Sequence, residues 1–337
     1  MDDDTLTALR SVQADGRHVA VRLAASLGVT RQAATARLNK LLESGLLTRV
    51  GQGAGVIYGL GVTHQVQQSF PAIGLSEDRV WQSLLRPVLA DLPANVRDIW
   101  QYGMTAMINN AIDHSGGREV RVGLRRTALA AEGYVMDDGE GIFVRIQRAL
   151  DLFDPREAIL ELAKGKFTTD PDHHSGEGIF FASKVFDNFQ ILSGALRFRQ
   201  DAGDAGLMTD GGDEVHGTII RMALAHDSRR SMRSVFDAFA LPDEFTFART
   251  VVPVRLAQHE GERLVSRSQA KRLTRRFERF QSVVLDFAGV EEIGQGFADE
   301  VFRVFQRAHP QTQLSSTGMS DAVAAMVKRV GGAGPAG

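Results

Sequence analysis

The stretch that most limits the architecture is a strand pattern ending at Val135-Met136 that runs without a spacer into Asp137-Asp138-Gly139-Glu140-Gly141-Ile142. The carboxylate at the strand end can accept a hydrogen bond from an amino group. The two glycines let backbone pass close to a ligand. Upstream, Leu92-Pro93 opens a long helical pattern through VRDIWQYGMTAMINNAIDHS, with the proline near the first turn, where its missing N–H costs nothing. At about 3.6 residues per turn, Ala106, Asn110 and either Asp113 or His114 share one face. An asparagine held there can offer its amide oxygen to a hard cation such as Mg²⁺. Downstream, a polar stretch KGKFTTDPDHHS leads into GEGIFFASKVFD, where Gly176 and Gly178 open a helix whose free N–H groups and positive dipole end can receive phosphate. His216-Gly217-Thr218 then begins the strand pattern TIIRMAL. No GxxxxGK[ST] loop occurs, nor a GxGxxG fingerprint between a strand pattern and a helix pattern.

These pieces, in this order, resemble the GHKL ATP-binding fold shared by histidine kinases, anti-sigma factor kinases, gyrase, Hsp90 and MutL, over roughly residues 77–224. The resemblance implies a Bergerat-type α/β sandwich that binds ATP and Mg²⁺. It implies Asn110 as the Mg²⁺ ligand, Asp137 as the adenine partner and Thr218 as the support of Asp137. Gly139 and Gly141 would line the nucleotide, Gly176 and Gly178 the phosphates, with Asp113 and His114 beside them. Residues Asp154–Ser175 would be the lid over ATP, which makes Lys164 and Lys166 phosphate candidates.

In one respect the chain departs from that family. Hydrolysing members carry a glutamate four residues before the N-box asparagine, and here the position is Ala106. A methyl group cannot accept a proton or position water, so tight ATP·Mg²⁺ binding with poor hydrolysis is expected. A natural switch and an engineered nucleotide trap both fit that alanine. His173-His174 reads as a solvated pair without a third ligand, Glu177 as outward-facing, and Arg229, Arg230 and Arg233 as a solvated charge run. The conventional sensor-kinase arrangement, with a phosphoacceptor histidine helix upstream, is missing.

Before this region, Val19, Leu23 and Leu27 recur at helical spacing, Gly28-Val29 breaks the pattern, and Thr30 caps a second helix over Arg31–Ser44. That helix turns Ala34, Leu38, Leu41 and Leu42 inward, and Leu46–Val50 and Val56–Leu60 flank the turn GQGAG. The segment resembles winged helix–turn–helix regulators, which implies a partner in double-stranded DNA. Arg31, Gln32 and Thr35 are then candidates for base or backbone contact, and Arg37, Lys40 and Arg49 for phosphate. The alternative is a module for dimerisation or protein contact, since GQGAG carries no basic residue.

From Arg249 strands and helices alternate: TVVPVRL, a helix over Ser266–Phe280 capped by Ser266 or Ser268, SVVLDF, a helix over Gly296–Ala308, QLSS and a helix over Asp321–Val330. The stretch SRSQAKRL…VVLDFAGVEEIGQGFADEVFRVF resembles the STAS-like domain of unknown function (DUF4325). In parent STAS domains a phosphorylated serine follows the strand matching Val283–Phe287, whereas EEIGQGFAD has no hydroxyl, so a protein-contact role is expected. Arg267, Lys271, Arg272, Arg275, Arg276 and Arg279 are read as a solvated basic face.

The fold class expected is therefore multidomain α+β: a winged helix at 1–62, a linker at 63–76, a GHKL ATP-binding domain at 77–226, a linker at 227–247, a STAS-like domain at 248–331 and a disordered tail at 332–337. Charge follows the same division. The formal net charge is -2, yet Gly16–Leu60 holds 6 basic residues against 1 acidic, and residues 61–248 hold 19 against 27. The absence of cysteine removes disulfides and thiolate chemistry, and no apolar run spans a membrane, so a cytoplasmic protein with no membrane contact is expected. Since a winged helix usually reads DNA as a pair, a homodimer is expected too. An ATP-responsive bacterial transcriptional regulator is the favoured function. A serine kinase or ATPase of the anti-sigma type, and an ATP-stabilised interaction scaffold with a regulatory protein partner in stress or phage defence, are the alternatives.

Overall fold

The computed structural model describes residues 2–167, 176–201, 207–240, 246–258 and 262–331 of a mixed α/β protein. The amino-terminal unit has three helices, α1 (Asp3–Ala14), α2 (Val19–Leu27) and α3 (Arg31–Glu43), followed by an antiparallel pair, β1 (Leu47–Val50) and β2 (Ile57–Leu60). Thr30 caps α3 by accepting a hydrogen bond from the Ala33 N–H at 3.2 Å. Helix α1 was not anticipated. Asp2 caps it, and its Ala8, Leu9 and Val12 join Val19, Leu23, Ala34, Leu38, Leu41 and Leu47 in a small core of their own. Leu129, from a turn of the next unit, enters that core too.

The second unit runs β3 (His64–Pro71), α4 (Glu77–Val80), α5 (Arg86–Leu89), α6 (Ala94–His114), β4 (Glu119–Arg126), β5 (Ala130–Asp137), α7 (Ile142–Leu150), α8 (Glu157–Lys164), α9 (Gly178–Val185), β6 (Asn188–Asp201), β7 (Leu207–Ala225) and α10 (Met232–Phe239). Its five strands pair antiparallel in the order β3-β4-β5-β7-β6. Ile99, Trp100, Met104, Met107 and Ile108 of α6 are fully buried, as are Val120, Val122, Ile191 and Leu224 of the strands. Both expected linkers contain an ordered element. Residues 64–71 form edge strand β3, and 232–239 form α10, whose Phe236 and Phe239 rings meet Tyr102, Phe180 and Phe181. Strand β7 starts at Leu207, nine residues ahead of His216.

The third unit is a parallel three-stranded sheet in the order β10-β9-β8, from β8 (Arg249–Pro253), β9 (Ser282–Asp286) and β10 (Gln313–Thr317). Its helices are α11 (Arg267–Thr274), α12 (Gln295–Asp299), α13 (Gln306–Ala308) and α14 (Asp321–Arg329). Ser266, not Ser268, caps α11, in a reciprocal capping box with Gln269. The second and third units share one continuous core running from Ala72 to Val327. No helix among the described residues is long and apolar enough to cross a membrane. The tail expected to be disordered, 332–337, lies outside the described residues.

Where α8 meets α11 the seam is ionic. Glu161 accepts from the Lys164 ammonium at 2.7 Å and from the Arg276 guanidinium at 3.0 Å. Glu157 faces Arg272 at 3.5 Å and Arg275 at 3.6 Å. The basic stretch is solvated only in part: Arg267, Lys271 and Arg279 are exposed as expected, whereas acids from the second unit pair with Arg272, Arg275 and Arg276. Burial drives the Lys164 amine down to about 8, with Glu161 pulling it partly back. Replacing Glu161 with Gln leaves two buried cations without their carboxylate. We expect Glu161→Gln to lose about 3–5 kcal/mol in urea unfolding, as for other broken buried pairs.

Candidate functional site

Strand β5 and the amino-terminal half of the loop after it place Asp137 opposite Thr218 of β7, in the middle of the five-stranded sheet. The carboxylate is only 7% exposed and accepts from the Gly139 N–H at 3.0 Å. Thr218 Oγ1 accepts from the N–H of Ile142, the first residue of α7, at 3.0 Å, so one hydroxyl ties β7 to the start of that helix. Gly217 has φ +73°, and a Cβ there would lie 2.1 Å from the Asp137 carbonyl oxygen. Only glycine allows the two strands this approach.

Above Asp137 is a cavity of about 280 Å³, walled by α6, α7, the carboxy end of α8, the start of α9 and strands β5 and β7. Val135, Ile142, Ile146 and Ile220 make its apolar sides. Asn109, Asn110, His114, Ser115, Arg145 and Glu177 supply polar groups around it. Burial pushes the Asp137 carboxyl up to about 6, against the pull of hydrogen bonds from Gly139 and Thr218. Burial also raises the Tyr102 phenol, and the Glu177 charge adds to that.

Of the residues singled out in the sequence, Ala106, Asn110, His114, Asp137, Gly176, Gly178 and Thr218 line this one cavity. Asp113 does not. It is exposed, since a position four residues beyond Asn110 stays nearer its face of α6 than one three beyond. Gly139 and Gly141 lie outside the lining but shape it: a Cβ would meet Ser115 O at 2.2 Å and Ser193 Oγ at 2.5 Å respectively. Lys164 is no phosphate ligand, being fully buried on Glu161. Lys166 also turns away, donating to Arg279 O at 3.1 Å and lying over the Phe247 and Phe280 rings. Of the expected lid, 154–175, residues 157–164 form buried helix α8, and 168–175 with His173 and His174 lie outside the described residues.

Glu177, read as outward, lines the cavity, as do Tyr102, Arg145 and Phe167, which the sequence did not single out. Tyr102 was findable, one turn ahead of Ala106 on α6; Arg145 and Phe167 reach the cavity only through tertiary packing. Among the described residues no group of three or more His, Asp or Glu could cage a metal unaided. The Asn110 amide oxygen therefore suits a hydrated cation delivered with an anionic ligand.

In the amino-terminal unit, Arg31, Gln32, Lys40 and Arg49 are exposed. Thr35 is half-buried and donates its hydroxyl to Arg31 O at 2.8 Å. Arg37 is not open to a phosphate as expected, because its guanidinium pairs with Asp4 of α1 at 2.8 Å. Val50 and Ile57, paired across β1 and β2, are 72% and 42% exposed.

Residues 269–324 match the family model of the STAS-like domain of unknown function (DUF4325), from α11 into α14. No curated protein matches the chain.

A carboxyl raised by folding binds its proton more tightly in the folded state, so its contribution to stability is greatest at low pH and is lost as pH rises through about 6. Asp137→Asn should therefore raise Tm in the free protein at pH 7.5, by a few degrees. It should also flatten the decline in stability between pH 4 and pH 7, checked by thermal melts across that range.

Proposed function

We propose that the chain is an ATP-binding, ATP-responsive transcriptional regulator, in which the second unit takes ATP·Mg²⁺ as a GHKL-type domain and the amino-terminal unit binds DNA as a winged helix. The observation that carries the nucleotide reading is a buried carboxylate, Asp137, at the base of a cavity with apolar side walls. An ionised carboxylate there accepts from an exocyclic amine, while Val135, Ile142, Ile146 and Ile220 cover the faces of a flat ring. At the other end, the free N–H groups that open α9 at Gly178 face the cavity with their positive dipole end, suited to phosphate. Glu177 brings a negative charge to that same end, which a cation bound with the polyphosphate would help to offset. Bound Mg²⁺ would supply that neutralisation, with Asn110 as its protein ligand.

Ala106 faces the cavity beside Gly178, whose Cβ position lies 3.2 Å from the alanine methyl. Methyl and glycine offer an attacking water no base at the position of the family's glutamate, so slow turnover and action through binding are expected. The exposed Val50–Ile57 pair and the Arg37–Asp4 bridge favour a second reading for the amino-terminal unit, as a protein-contact module.

Equilibrium titration should show Mg²⁺-dependent ATP binding that weakens as pH falls through about 6 and is lost in Asp137→Asn. Phosphate release should be slow in the native chain and rise roughly 10²-fold in Ala106→Glu, the usual worth of a positioned general base. Fast release by the native chain sinks the switch. A gel mobility of promoter-derived duplexes that ignores ATP sinks the DNA-linked regulator and leaves the protein-contact reading.

A further inference from the structure

We propose that Arg276, from the STAS-like unit, is a positioning residue of the cavity, so that the nucleotide site is complete only with that unit docked; this rests on the ATP reading above. Arg276 follows α11 with φ +66°, a left-handed conformation that costs a non-glycine residue free energy and holds only where its surroundings enforce it. What enforces it is a single stretch of the second unit. One guanidinium nitrogen donates to Glu161 Oε2 at 3.0 Å; the other donates to Gly165 O at 3.2 Å and to Lys166 O. The guanidinium carbon sits 5.3 Å from the centroid of the Phe167 ring.

Phe167 is the next link. It lines the cavity, as does Leu162 from the same stretch. Its carbonyl abuts Gly176, where a Cβ would lie 2.3 Å from Phe167 O. Gly176 in turn leads through Glu177 into α9. Contact with the Arg276 guanidinium thus holds a cavity-lining ring that a lysine in place of the arginine could not hold in the same way. Neighbouring Arg275 belongs to the same seam, reaching Glu157 at 3.6 Å, and is not among the residues placed against Phe167. If ATP binds better with Phe167 seated, it tightens α11 against α8, and docking of the STAS-like unit tightens ATP by the same factor.

The test is ATP·Mg²⁺ affinity of the full chain, by calorimetry, in Arg276→Met, Arg276→Lys, Arg275→Met, Phe167→Leu and the Arg276→Met/Phe167→Leu double variant. Expected are a Kd raised about tenfold in Arg276→Met, Arg276→Lys and Phe167→Leu, a change within about twofold in Arg275→Met, and a double variant no weaker than the worse single one. Hydrogen exchange should show ATP protecting amides 270–274 in the native chain and in Arg275→Met, with that protection lost in Arg276→Lys. The lysine variant keeps a cation for Glu161, so its result stands if Arg276→Met fails to fold. Native affinity in a folded Arg276→Lys overturns the inference, as does equal loss in Arg275→Met, which would make the effect one of seam strength. In both cases native ATP binding leaves the nucleotide reading intact. A native chain that binds no adenine nucleotide overturns that reading and this inference with it.

Discussion

The arrangement of the second and third units depends on one buried carboxylate. Glu161 is 1% exposed and holds Lys164, which is fully buried, and Arg276, at 7%. Burial holds the Lys164 amine down at about 8, and the neighbouring Arg276 adds to that while Glu161 opposes it. Cohesion between the units comes from their shared apolar core, which alone would tolerate many sliding registers. Charge sets the register. Carbonyl oxygens of Arg272 and Arg275 receive the Lys164 ammonium, and the Thr250 hydroxyl of β8 donates to Lys164 O at 2.8 Å, so α8 is tied to both the helix and the sheet of the third unit. Ions buried in this way are weak contributors to net stability and strong penalties against misdocking.

What was legible in the sequence were features with a local cause. Asp137, Asn110, Gly176, Gly178 and Thr218 stand in strand–turn–helix and helix-face patterns whose geometry is set within a few residues, and all five line one cavity. Lys164, Lys166, Arg272, Arg275 and Arg276 were misread for the opposite reason. A basic residue looks the same whether it meets water, a phosphate or an acid more than a hundred positions away, and Arg276 finds Glu161 across 115 residues. Strand β3 escaped notice because an edge strand needs only one apolar face; here Val66 and Phe70 are its half-buried positions among exposed polar ones. Helix α10 escaped because none of its residues is fully buried.

The same contrast holds for net charge. The sum of -2 hides the fact that much of the chain's basic surplus after residue 248 faces acids of the second unit. A segment sum predicts partners only for charges that remain in water, as Arg31, Lys40 and Arg49 do on the amino-terminal unit.

Strand β3 has a mechanical side. Only Gly61, Val62 and Thr63 separate the end of β2 from it, and it is stitched along its length to β4. The Leu129 turn and an Arg10–Asp227 bridge at 2.7 Å brace the same joint from the far ends of β5 and β7. The amino-terminal unit is thus mounted on the sheet by a stiff bracket and not a tether. A displacement of β3 would therefore reach the amino-terminal unit through three residues only.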